Sequence, residues 1–241
     1  MNRLDKCIKI NFRMVSNEIG IMCVAGGAMC LCFLSLIMLI IIPVLAIVQL
    51  VFTVKMYKKL CYTGLYGETA LLYQSLPVTW EEMTVSRIFT AGTGNLMAQL
   101  VTFICMAAGA GLSSFGEEFA DIFFKAWSMT LETSGFQTLV PLNLLAAAAS
   151  IYRMSAFILM AIVLYNSRPA RKRGDWSRVA AFVIGGAVHV AISSIDDLLH
   201  FLGAPMTSLW VPVLCMAIDI VLTVVFYRVT VRKLYTCYAL N

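Results

Sequence analysis

Charge is what this chain has least of. Asp, Glu, Lys and Arg make up 13% of its 241 residues, hydrophobic side chains make up 61%, and the mean hydropathy is +0.86. Soluble domains carry about a quarter charged residues, so the deficit excludes a soluble globular domain and places the chain in a membrane. No G-x-x-x-x-G-K-S/T stretch occurs, so the chain lacks a phosphate loop for ATP. Spans of about 20 residues each use most of its length and leave no room for a folded nucleotide-hydrolysing domain. The eight cysteines form no C-x-x-C pair and no metal-ligand spacing; they read as small hydrophobes, and no metal or cofactor is expected on this chain. The net charge of +5 comes from basic residues that flank apolar runs instead of gathering on one face, which excludes a nucleic-acid partner.

What is present is a set of long apolar runs: Ile19 to Val54, Ile88 to Leu112, Phe136 to Tyr165, Val179 to Ile195 and Met206 to Tyr227. The first holds 36 residues without a charge and as one helix would be about 54 Å long, against a hydrocarbon core of about 30 Å. Basic residues stand on both of its sides, Arg3, Lys6, Lys9 and Arg13 before it and Lys55, Lys58 and Lys59 after it. Cytoplasmic flanks attract Lys and Arg, so the run reads as a tight hairpin of two spans turning between about Ser35 and Pro43.

The sequence therefore predicts an all-α, polytopic membrane protein with six transmembrane helices and both termini cytoplasmic. Its single transmembrane domain, 1–241, divides as follows along the chain. A cytoplasmic amphipathic segment (1–18) lies on the inner leaflet and leads into the hairpin (19–54), a cytoplasmic segment (55–87) and span 3 (88–112). An outer loop (113–135) holds an amphipathic helix lying on the outer leaflet. Then come span 4 (136–165), a basic cytoplasmic loop (166–178), span 5 (179–195), a second outer loop (196–205), span 6 (206–227) and a cytoplasmic tail (228–241). Sixteen of the 18 basic residues fall on the cytoplasmic side of this scheme, while the outer loops carry Glu117, Glu118, Asp121, Glu132, Asp196 and Asp197. A five-span scheme puts the N-terminal basic cluster outside and fits the charges less well.

The longest cytoplasmic stretch, KMYKKLCYTGLYGETALLYQSLPVTWEEMTVSRIF, is organised. Thr79 and Glu82 form a T-x-x-E capping box just after Pro77, which predicts a helix starting at Trp80 and running through Arg87 into span 3. The order of a Tyr- and Lys-rich span end, then LYGETALLYQSLPVTWEEMTVSR, then a span resembles permease subunits of bacterial ABC transporters of the type-two exporter class. The matching positions are Tyr57, Gly67, Glu68, Leu76, Pro77, Val78 and Arg87, with Thr79 where serine is usual. The resemblance implies a permease in the inner (plasma) membrane of a bacterium that dimerises with a second permease subunit, as a homodimer or heterodimer, and is driven by a separate ATP-binding cassette subunit. It also implies that Leu76, Pro77, Thr79, Trp80, Glu81 and Glu82 supply the coupling contact with that ATPase.

Inside the spans, Arg153 and Asp219 each cost about 2.5 to 3.5 kcal/mol if they face lipid at a helix centre, and with His189 they are expected to form an intramembrane polar cluster. The cluster reads either as an ion pair joining spans 4 and 6 or as part of a translocation route; Gln99, Asn95 and Asn143 are candidates to join it. The alternative function is an ion-coupled carrier using Asp219, Arg153 and His189 without an ATPase. A further alternative is an intramembrane protease of CAAX type, whose E-E-x-x-x-R signature Glu81 and Glu82 resemble. Here Arg87 comes one residue late, rotated by about 100° on a helix, so no enzyme activity is expected on this chain.

Overall fold

Over the first 31 residues the buried positions recur as Cys7, Asn11, Val15, Glu18, Met22, Ala25 and Met29, steps of four and three that draw one stripe along a helix. The computed structural model describes residues 3–32, 41–66, 78–112, 136–167 and 210–238, and in it the stripe runs down one unbroken helix, α1 (Arg3–Leu31). It joins the expected cytoplasmic amphipathic segment (1–18) to the expected span starting at 19 without a break. Nothing in the sequence breaks the helix at that junction, and its apolar face finds protein: Val15 is fully buried and Phe12 packs on the core. Lys6, Lys9 and Arg13 stay exposed on the opposite side.

The second helix, α2 (Ile41–Tyr57), takes the other half of the long apolar run. Pro43 is its third residue, in the first turn, where no N–H donor is needed. The helix then widens into a π-helical turn (Lys58–Thr63) and closes with a short α-helical turn (Gly64–Tyr66). Three long helices complete the described fold: α3 (Trp80–Leu112), α4 (Phe136–Asn166) and α5 (Trp210–Tyr238). Among the described residues there is no strand. Five helices are long and apolar enough to cross a membrane, which makes this a multi-pass membrane protein. The expected hairpin turn, between about Ser35 and Pro43, lies outside the described residues except for 41–43, which α2 includes; the outer-leaflet helix (113–135), basic loop and span 5 fall wholly or almost wholly outside them.

Register follows from a few pairs. Asn11 meets Ser86, Ile19 meets Gly94 and Gly26 meets Thr102, a nearly constant offset, so α1 and α3 run side by side in the same direction. Gly26 is required there: a Cβ would collide with the Thr102 hydroxyl and lie 3.2 Å from its backbone Cα. The second helix runs antiparallel to α1, with the Gln49 amide donating to the Met22 carbonyl at 3.0 Å and to the Thr102 hydroxyl at 2.7 Å. Arg153 pairs with Asp219, and further along both helices Phe157 stacks edge-on against Phe226 with ring centroids 5.4 Å apart. The contacts come in the same order on both helices, so α4 and α5 are parallel. Val44, Ile47, Leu50, Val51 and Val54 on α2 and Leu214, Ile220, Val221, Val224 and Val225 on α5 point outward, as lipid-facing surfaces do.

Candidate functional site

In hydrocarbon a polar side chain needs a partner within the bundle, and here the partners gather at one level. Ile19 and Met56 both close over Gly94, which fixes the relative heights of α1, α2 and α3. Around that height, Lys59 Nζ lies 2.6 Å from Glu18 Oε1, joining α2 to α1. Asn95 on α3 donates to the Tyr57 hydroxyl at 2.7 Å, and the same hydroxyl shares a 2.9 Å hydrogen bond with Ser155 on α4. The Tyr152 ring lies against Gly92, and its hydroxyl pairs with Thr93 at 2.8 Å. Arg153, the next residue, reaches Asp219 on α5 at 2.9 Å and also donates to Ser150 at 3.1 Å. All five described helices are thus tied within about two helical turns, or 11 Å, of one another along the bundle axis.

Tyr57 is the hub of this layer, buried and bonded to two helices other than its own. Arg153 and Asp219 are buried, with side chains 3% and 7% exposed. The sequence-predicted pairing of these two is formed. His189 lies outside the described residues. Asn95 joins the Tyr57 node instead of the ion pair, and Gln99 is a correction: it faces outward. Asn95 is half-buried beside the inward stripe of α3, whereas Gln99, one turn further and about 40° around the helix, is exposed.

Below this layer lies the end of the bundle that carries Thr79. The Thr79 backbone N–H donates to Glu82 Oε2 at 2.9 Å and the Glu82 N–H donates to Thr79 Oγ1 at 3.2 Å: the capping box is formed. Met83 N–H bonds back to the Thr79 carbonyl at 3.0 Å, so α3 starts at a defined point and continues unbroken for 33 residues, about 50 Å. Its first turn presents Thr79 and Glu81 to solvent while Trp80 packs partly on the core. Leu76 and Pro77 lie outside the described residues.

Arg87, about two turns along α3, is fully buried and donates from Nη2 to the Gly64 carbonyl at 2.9 Å. This holds the end of the π-helical segment against α3. Glu82 faces its cap and Arg87 faces Gly64, so the two ends of the protease-like near-match have different partners. Among the described residues no three His, Cys, Asp or Glu side chains come together as metal ligands would.

Sequence reasoning missed Tyr57, Thr93, Tyr152 and Ser155 as partners, the Glu18–Lys59 pair and the Arg87 clamp. The signal available for the last was a lone arginine at a span boundary. For the others, hydroxyls within apolar runs were the only mark. The chain matches no protein-family model, no curated protein and no solved structure.

Proposed function

We propose that this chain is the membrane permease subunit of an ABC-type exporter, lining a translocation pathway with a second permease subunit and driven by a separate ATP-binding subunit. The observation that carries the reading is the build of α3: a capped, exposed first turn continuous with a membrane helix about 50 Å long overall. A push on Thr79 to Glu82 moves a stiff rod whose middle is tied to α2 and α4 through Asn95 and Thr93. The parallel course of α4 and α5 supports a sixth crossing between residues 168 and 209, because two helices entering from one side need a return path between them. Both termini then lie on one side, which the Lys and Arg distribution assigns to the cytoplasm of a bacterial cell.

The test is chemical crosslinking from a Trp80→Cys substitution in a chain whose eight native cysteines are replaced. Capture of an ATP-binding subunit, and ATP-dependent transport by the pair in liposomes, is the expected result. Transport by the purified chain alone under an ion gradient would overturn it and favour the ion-coupled carrier. For that second reading the relevant observation is the Arg153–Asp219 pair buried within the polar layer.

A further inference from the structure

The helix that begins as α2 does not end as an ordinary α-helix. Between Lys58 and Thr63 it takes the wider π form, and the Gly64 N–H donates to the Lys59 carbonyl five residues back. A π turn holds one residue more than the α turn it replaces, is rare, and is found frequently at functional sites. Here it is bracketed by anchors. Tyr57, immediately before it, is bonded to Asn95 on α3 and Ser155 on α4. Lys59 within it is paired to Glu18 on α1. Gly64, immediately after it, is held by Arg87, and an added Cβ there would sit 3.2 Å from the guanidinium Nη2. Its buried residues are Leu60 and Cys61, while Tyr62 is exposed. The Thr63 hydroxyl donates to the Lys58 carbonyl at 3.3 Å, a bond available to a side chain in this turn whichever residue's N–H that carbonyl also accepts.

We propose that this π-helical turn is a register joint: exchanging π for α hydrogen bonding within Lys58–Thr63 shifts Tyr57 along the helix axis relative to Gly64, which Arg87 holds to α3, and Tyr57 carries that shift into α4 through Ser155. The physical ground is that the extra residue can be absorbed or released without unwinding the helix, because five-residue and four-residue backbone bonds use the same donors and acceptors. Gly64 and Tyr57 are both bonded to α3, through Arg87 and Asn95, so a shift inside the turn is expressed at the single Tyr57–Asn95 hydrogen bond and at Ser155 on α4. The joint does not depend on which partner moves it; its use in transport rests on the permease reading.

Deleting Tyr62 tests it. The deletion removes one exposed residue, spares Leu60, Cys61 and Leu65, and lets an α turn span from Tyr57 to Gly64 with both anchors kept, since each α residue advances about 100°. The full-length protein in lipid nanodiscs is compared with this variant by amide hydrogen exchange. The expected result is that amides of residues 58–66 exchange at least about tenfold faster than those of residues 88–102 in the parent, and slow by about tenfold in the deletion variant, with the α3 amides unchanged. Equal exchange in parent and variant, or a parent turn as protected as α3, would overturn the joint. A variant that fails to fold would be replaced by Thr63→Val, which removes the hydroxyl bond to Lys58 and is expected to change exchange within 58–66 alone; no change there also overturns it. In the complex with an ATP-binding subunit, the deletion variant is expected to hydrolyse ATP with transport reduced at least about tenfold, the loss expected when a joint and not a structural support is removed. If no such subunit binds, the permease reading fails while the exchange result still decides the joint.

Discussion

The Arg153–Asp219 pair offers the sharpest quantitative test of how this bundle is held. Both side chains are almost wholly removed from solvent, and Arg153 Nη1 lies 2.9 Å from Asp219 Oδ1. Replacing Asp219 with Asn leaves a guanidinium buried without its carboxylate; replacing Arg153 with Gln leaves the converse. Each single change is expected to cost about 3 to 5 kcal/mol, because an uncompensated charge in a poorly solvated interior is worse than none. The double replacement removes both charges together and keeps a hydrogen-bonding group at each position, so its cost should fall to about 1 to 2 kcal/mol. The difference is a coupling energy of several kcal/mol, far above the few tenths expected for distant sites. Unfolding in a fixed detergent or bicelle, measured for the parent, both singles and the double, closes the cycle. Losses that simply add would refute the reasoning and mean that the two residues do not depend on one another.

Three more expectations follow from the geometry. Replacing Thr79 and Glu82 together with Ala should cost about 1 to 2 kcal/mol of local helix stability, read as faster amide exchange confined to the first two turns of α3. Gly26→Ala should separate α1 from α3 and destabilise the protein by about 1 to 3 kcal/mol, since the added methyl meets Thr102 Oγ1, its Cα and the Gln49 amide; unchanged unfolding would show that the two helices are looser than described. Reporter fusions at Asn241, Arg173 and Glu118 should place the first two in the cytoplasm and the third outside, and an N-terminal tag found outside would restore the five-span scheme.

Much of this arrangement could be read from residues in order, and the part that could not has a common cause. The helices were legible because apolar runs of about 20 residues leave few other options in a membrane. The start of α3 was legible because T-x-x-E is a local device that closes on itself. The Arg153–Asp219 pair was legible because the cost of an isolated charge points to the opposite charge at a similar depth. The stripe on α1 was visible too, but a stripe says only that something covers it. Lipid and α3 satisfy Phe12 and Val15 equally well at the level of pattern, and the choice is made by Asn11 and Glu18, polar groups that find Ser86 and Lys59. The Tyr57 node and the π turn were illegible because their partners are separated by 38 and 98 residues and an extra residue in a helix leaves no mark in composition.

The side-by-side course of α1 and α3 has a consequence for how the protein is made. Asn11 and Ser86 are 75 residues apart in sequence, so at translation rates of about 5 to 20 residues per second α1 precedes its partner by roughly 4 to 15 seconds. Over that interval the helix has its inward stripe in place and no α3 to receive it. Lys59 arrives sooner and can neutralise Glu18, so Glu18 is paired once the α1–α2 hairpin has formed, and the face from Asn11 to Val15 must be held by lipid or by the insertion machinery until α3 emerges. Nascent chains halted before residue 86 should therefore expose α1 to crosslinkers carried on lipid or on the insertase, and chains halted after residue 112 should not.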